Sequence, residues 1–423
     1  MCSTKKENLT EKRAASRCPT YEICGAKDGK DFVGLKFEEN KLRVCFPMGY
    51  NLSASSLSEK EKRKAVLNLI SVLSTYGEKS EGFYNQESPL TEENRFPIHA
   101  YLYLVAEYLN HGYYTESEIS YKPSKAGKIN WTRTIKHRKP NISENGIYYS
   151  DFITRKTNHC ENDLITEIHK FCVYESFMKI GFMFCSFLPE KPAIEFNAEF
   201  FKSIILSKIT ETFNEKVLIL FRQMLAVIDF LNCEKDAKIQ SYGTTCFYTI
   251  WEKIIDKIFG TVSDKSKHFP HGLWKIGPKV YDDSPLIPDT IMESDLKIFV
   301  LDSKYYKYGI TANANDLPPT SSILKQIAYA EFIETCNNFQ YDGKDIFNVF
   351  IMPYAANANE EDTKNSNLKL IGYSESNWKK PNEKQSYLKI YGILLDTKWI
   401  MEQGLINREN HIKELAKLIL KQN

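Results

Sequence analysis

The sequence predicts an α/β protein, in which a core built on a mixed sheet flanked by helices is preceded by an α+β, mainly helical N-terminal domain. Three observations lead there. From residue 247 the chain reads helix, hairpin, helix, strand, the order of a core in which helices cover a sheet. Two helical patterns, around Ala65 and from Ile98, mark the first part of the chain. The length of 423 residues exceeds what one hydrophobic core usually serves, so the chain is expected to divide near residue 158. The domains are then 1–158 and 159–423, the second opening with a helical insertion.

Each element has its own signal. Ala65, Val66, Leu69, Ile70 and Leu73 recur at helical spacing. PIHAYLYLVAEYLNHG starts on Pro97 and stops at Gly112, the usual asymmetry of helix ends. After a basic stretch and the strand-like NGIYYSDF, NDLITEIHKFCVYESFMKIGFMF and the apolar run 217–231 read as helices. Arg222, Gln223 and Asp229 interrupt that run and it is short for a membrane span, so it is expected to be a buried helix. In CFYTIWEKIIDKIFG, Phe247, Ile250, Trp251, Ile254, Ile255 and Ile258 share one face, and Gly260 ends the helix. Thr320, Ser321 and Ser322 follow Pro318-Pro319 and cap a helix through SILKQIAYAEFIE, after which IFNVFIMPY reads as a buried strand.

Composition excludes several classes. Apolar residues at 42% and charged residues at 26% describe a globular chain, and a net charge of +2 names no partner. Ten cysteines contain no C-x-x-C pair, which fits reduced cytoplasmic thiols. The start, MCSTKKENLTEKRAAS, has no apolar signal core, so a cytoplasmic protein with no membrane partner is expected. No G-x-x-x-x-G-K-[ST] is present, which argues against a nucleotide-driven motor. Asp316-Leu317-Pro318-Pro319 has no glycine-rich cofactor loop beside it, which argues against a methyltransferase.

The chemistry concentrates in IPDTIMESDLKIFVLDSKYY, 287–306. Alternation along KIFVLDSK puts Ile298, Val300, Asp302 and Lys304 on one face. A hairpin turning at Asp295-Leu296 sets Asp289 opposite Asp302, with Cβ atoms about 5 Å apart. Opposed like charges are unfavourable unless a cation lies between them or one acid is protonated. Hard oxygen ligands on a rigid hairpin suit Mg²⁺, which keeps waters and takes further ligands from phosphate. Lys304 reaches the same space and could position or deprotonate a water, the arrangement of metal-assisted phosphodiester hydrolysis. Glu252 lies at the edge of the upstream helix, where Asp256, one turn later, competes with it. Ser322, Gln326 and Tyr329 form one stripe of the downstream helix, so Gln326 either faces the site or caps backbone. Tyr305 and Tyr306 read as half-buried aromatics at the strand end.

Two further clusters stand apart. YKPSKAGKINWTRTIKHRKP holds seven Lys and Arg residues and no acid, and Lys128, Asn130, Trp131, Arg133, Lys136 and Arg138 offer phosphate and base-edge contacts together. A solvated loop is the plainer reading of such a stretch. His159, Cys160, His169 and Cys172 are zinc-type residues, but His169 and Cys172 fall inside an apolar helical pattern, which disfavours a metal there.

The ordered set WEKII, IPD, LDSKYY and LKQIAYAEF resembles the PD-(D/E)xK nuclease superfamily, and in detail the LlaJI family of type II restriction endonucleases. GKINWTRTIKHRKP is similar to that family's N-terminal half, so the likeness runs from near residue 95 onward and leaves 1–90 unmatched. The resemblance implies Mg²⁺-dependent cleavage of double-stranded DNA at a defined sequence, with a DNA-recognition domain at the N-terminus. A companion methyltransferase would protect host DNA, as a functional and not necessarily a physical partner. Carried over, Asp289 and Asp302 are metal ligands, Lys304 is the catalytic lysine and Glu252 is the helix acid and a further ligand. Asp stands where Glu is commoner before x-K. Two alternatives remain at this point: an McrC-like nuclease subunit needing a separate McrB-like NTPase, and a catalytically inactive DNA-binding protein with a nuclease fold.

Overall fold

The structure is a computed structural model that describes residues 21–38, 41–51, 58–77, 96–144, 146–160, 163–233, 239–265, 270–283, 285–335, 342–356, 367–379 and 384–422. The described chain forms two compact units, one of residues 96–233 and the other combining 21–77 with 239–422. The boundary expected near residue 158 lies inside the strand Ile153–Cys160, within the first of these units.

In the unit of residues 96–233, the helices Ile98–His111, Leu164–Ile180, Ala198–Glu211 and Glu215–Cys233 pack together. Pro97 and Gly112 bound the first of them, and Gly112 takes φ 77°, a conformation that favours glycine. The run 217–231 is indeed helical and buries Leu220, Phe221, Met224, Val227, Ile228 and Phe230. A small antiparallel sheet sets Ile153–Cys160 between Glu116–Pro123 and Lys128–Ile129. This unit is α+β and mainly helical. The helices expected to open the second domain therefore belong with residues 96–160.

The other unit holds two larger sheets and a separate two-stranded ribbon among the described residues. Residues 21–46, which matched nothing in the sequence reading, form three strands, and Ile239–Thr244 completes their sheet by pairing with Val33–Glu38. The second sheet is mixed and five-stranded, in the order Thr290–Ser294, Lys297–Ser303, Ile346–Tyr354, Ile390–Asp396, Leu368–Ser374. Its centre is parallel and both edge pairings are antiparallel. All nine residues of Ile346–Tyr354 are buried, as a strand covered on both faces requires.

Two helices cover this sheet near the expected site. Phe247–Phe259 buries Phe247, Ile250, Trp251, Ile254, Ile255 and Ile258, and Trp251 Nε1 donates to the Ile351 carbonyl at 3.5 Å. Thr320–Thr335 sends Ile327, Tyr329, Ala330 and Ile333 into one apolar cluster with Ile291, Ile298 and Val300 of the hairpin. The alternating apolar face of the hairpin is thus the face this helix covers. No helix among the described residues is long and apolar enough to cross a membrane.

Candidate active site

The hairpin has the register its sequence dictates. Thr290 pairs with Leu301 and Ile291 with Val300, down to Ser294 with Lys297. Asp295 and Leu296 turn the chain with φ 49° and 61°, the positive values of a two-residue hairpin turn. One step beyond Thr290, Asp289 faces Asp302, and its Oδ2 accepts the Ser303 backbone N–H at 2.7 Å. The Lys304 backbone N–H donates to the Ile351 carbonyl at 2.9 Å, so the lysine is held on the sheet.

Asp302 is 1% exposed. Lys304 Nζ lies 2.8 Å from Asp302 Oδ2 as an ion pair, without the alignment of a hydrogen bond, so that buried oxygen has no hydrogen-bond donor. Burial, and then the facing Asp302 carboxylate, push Asp289 up to about 8; Glu252 adds to the rise and the Ser303 N–H opposes it. Glu252 is raised as well, by burial first and Asp302 next, while Lys304 and Lys325 pull it down. Glu252, Asp289, Asp302 and Lys304 therefore share one electrostatic neighbourhood.

Asp256 is placed differently. It pairs with Lys265 at 2.7 Å, and the same Nζ donates to the Asp289 carbonyl, so Asp256 holds a lysine beneath the hairpin. Between the two acids on that helix, Glu252 is the one in the electrostatic neighbourhood of Asp302 and Lys304. Gln326 is 0% exposed, and neither its amide oxygen nor its nitrogen has a hydrogen-bond partner. It caps no backbone group. Three residues on, Tyr329 is raised by burial and then by Asp302 and Asp289, which puts this stripe of the downstream helix toward the carboxylates.

Tyr305 and Tyr306 are structural. Tyr305 is buried against Phe247 and Trp251, and its hydroxyl oxygen accepts the Met48 N–H at 2.7 Å; Tyr306 packs on Met352, Tyr354 and Leu394. Sequence reasoning missed Lys265, Lys325 and the Tyr329 hydroxyl, which donates to the Ile287 carbonyl at 2.8 Å just before Pro288-Asp289. Lys325 had a signal, since it precedes Gln326 and lies four residues from Tyr329, over whose ring its Nζ stands at 5.5 Å. Lys265 had none, because its partner is set by the path of the chain.

The donor set suits a hard cation: two facing carboxylates, of which Asp302 keeps a buried oxygen without a hydrogen-bond donor. Among the described residues no group of three His, Cys, Asp or Glu side chains is arranged to hold a metal. Of the zinc-type residues, His169 and Cys172 sit in a helix core. His169 is buried, its Nδ1 accepts the Tyr114 N–H at 2.9 Å, and burial holds its pKa down at about 4; Cys172 is buried, and the side chains of His159 and Cys160 lie outside what the structure describes.

The basic stretch is not a loop throughout. Trp131–His137 is a short helix capped by Asn130, whose side chain accepts the Arg133 N–H at 2.9 Å. Thr134 is its buried anchor, donating to the Asn130 carbonyl and accepting the Ile153 N–H. Trp131 is 53% exposed, Arg133 stacks on Tyr121 at 3.8 Å, and Lys128 and Lys136 are exposed. Arg138 is half-buried at the helix end.

The family model of the LlaJI restriction endonuclease matches residues 32–377, a span that includes the basic helix, Glu252, the hairpin and Gln326. The Type II restriction enzyme BsuMI component YdjA of Bacillus subtilis (strain 168) is 24% identical over 264 residues, 59% of this chain and 56% of that protein. This match thus spans little more than half the length of the curated relative. A solved half-complex of Thermococcus gammatolerans McrB AAA+ hexamers with bound McrC aligns over 92% of this chain and 82% of its own, at 13% identity and a TM-score of 0.37. Most of the chain falls within the family match, and this protein belongs to the LlaJI restriction endonuclease family.

Proposed function

We propose that this chain is a Mg²⁺-dependent endonuclease of the PD-(D/E)xK type that hydrolyses phosphodiester bonds of double-stranded DNA at a defined sequence. One observation carries the reading: Asp289 and Asp302 face each other on a rigid hairpin, with Lys304 at the end of the same face. When bound, Mg²⁺ would neutralise the facing carboxylates and activate a water. Asp289, oriented by the Ser303 N–H, and Asp302 would hold the ion, with Glu252 in the same electrostatic neighbourhood as a further acid. Lys304, ion-paired with Asp302 beside this space, would position the attacking water by donating to it. The unpaired amide of Gln326 supplies a donor and an acceptor inside the same buried space.

Sequence reading belongs in this proposal to the unit of residues 96–233. The face with exposed Lys128, Trp131, Arg133 and Lys136 and half-buried Asn130 and Arg138 offers phosphate contacts beside an aromatic side chain. Asn130 is occupied as a cap, so its free amide nitrogen is the base-reading group. A methyltransferase that modifies the same sequence completes the system in the cytoplasm.

Incubation of a sequenced plasmid with the protein, with Mg²⁺ or with EDTA, tests this reading. Discrete ends that require Mg²⁺ support it; no cleavage under any condition, with intact duplex binding, makes the chain a DNA-binding protein with an inactive site. A second reading, a nuclease subunit that needs an NTPase partner, is favoured by the relative's description as a component of an enzyme. Cleavage that appears only when the partner and GTP or ATP are added would select it.

A further inference from the structure

Leu273–Ile276 and Lys279–Asp282 form an antiparallel ribbon, separate from both larger sheets of its unit. Every residue of both strands is exposed, among them Trp274 at 64%, Ile276 at 62% and Tyr281 at 47%. A lone two-stranded hairpin is marginal in water, and five large apolar side chains on one such hairpin mark a contact surface.

We propose that this ribbon is a DNA-engaging arm of the active site, lying in the minor groove beside the cleaved bond with its tip wedged between base pairs. The inference rests on the nuclease reading. Four observations favour duplex DNA as the occupant. The register puts Trp274 opposite Tyr281 and Ile276 opposite Lys279 on one face, so aromatic surface and a cation are presented together. Lys275 and Lys279 flank the tip while the ribbon's one acid, Asp282, is at its base, which places positive charge where phosphates would lie. The tip is Ile276-Gly277-Pro278-Lys279, in which Gly277 takes φ 59° and Pro278 stiffens the turn. Ile and Pro are the side chains that unstack base steps when a protein kinks DNA.

The fourth observation is continuity with the site. Asp283 N–H donates to the Gly272 carbonyl and Leu286 N–H to the Pro270 carbonyl, both at 2.9 Å, which fastens the ribbon's base. Tyr329 then fixes Ile287, and Asp289 follows. The seven residue steps from Asp282 to Asp289 span at most about 25 Å even when extended, little more than the width of a duplex. DNA held at Asp289 and Asp302 is within the ribbon's reach.

The test uses the full chain in EDTA with a random-sequence duplex of about 30 bp carrying a dye at each end. Wild type is expected to bind and to bring the dyes together. Lys275→Ala with Lys279→Ala should lower the slope of log affinity against log salt by about two. Ile276→Ser should bind within a few-fold of wild type but leave the duplex straighter. These side chains are exposed, so both variants should melt like wild type. If wild type cuts plasmid and both variants bind and bend as it does, the ribbon is no DNA arm while the nuclease reading survives. If wild type neither binds duplex nor cuts, both fall. A change in sedimented mass with unchanged DNA binding would make the ribbon a contact between copies of the chain and overturn the proposal.

Discussion

Lys304 Nζ lies 2.8 Å from Asp302 Oδ2, so the lysine serves as the countercharge of one of two facing acids, while burial and the facing Asp302 raise the pKa of the other, Asp289. Without a metal, the like-charge conflict on this hairpin is eased by an ion pair on one side and a raised pKa on the other. The consequences for the two acids differ.

In EDTA at pH 7, Asp289→Asn should be as stable as wild type or more so. It removes one of two opposed acids, the one whose charged form burial disfavours, and keeps an oxygen for the Ser303 N–H. Asp302→Asn should cost roughly 1–3 kcal/mol, because it strips the partner from a lysine that is 17% exposed. Urea unfolding of both variants measures this. Equal loss in the two would mean that Lys304 does not distinguish them.

Cleavage should rank the acids and the lysine. Asp289→Asn and Asp302→Asn abolish it, and Lys304→Ala lowers the chemical step by about 10²-fold or more while duplex affinity stays within a few-fold. Glu252→Gln should slow cutting more than Asp256→Asn, since Asp256 is engaged with Lys265. Single-turnover plasmid cleavage with Mg²⁺ reads all five; a Lys304→Ala protein that cuts at the wild-type rate removes the assignment.

Gln326 offers a trade of stability against activity. Its amide is buried with both polar atoms unpaired, so Gln326→Met should raise stability by about 1–3 kcal/mol and reduce cleavage. Melts and cleavage on the same preparation test it, and a destabilised variant would show that the amide already has a partner in solution.

On the basic helix, Arg133→Ala and Lys136→Ala should weaken duplex binding, and Lys136→Ala should lower the salt slope by about one. Thr134→Val is the structural control. It loses the bridge from Asn130 to Ile153 and should loosen the helix as well as weaken binding. Unchanged affinity in Arg133→Ala and Lys136→Ala would return the segment to a solvated face.

His169 predicts an acid-side weakness. Its pKa is held at about 4, against 6.5 for the free group, so the unfolded chain takes up the proton first. Its contribution is fully present above pH 6.5 and is lost as pH falls toward 4. His169→Gln should flatten that part of the stability profile, measured as the difference between variant and wild type from pH 7 to 4. An identical slope in both would place the acid sensitivity elsewhere.

The sequence by itself determined the hairpin, its register and the lysine at its end, because strand alternation and a two-residue turn are local and put Asp289 opposite Asp302. The same local logic determined the helices that begin at Ile98, Phe247 and Thr320. Only the tertiary structure decided that residues 21–46 complete a sheet with Ile239–Thr244, and that the helices after residue 163 join the segment before them. Pairings across some 200 residues of chain leave no periodic trace in sequence. Tertiary structure also set Asp256 against Lys265, gave Lys304 to Asp302 and left the Gln326 amide unpaired. Those outcomes depend on which side chains the folded chain brings within about 4 Å in a dry interior, where charge and hydrogen bonding act most strongly.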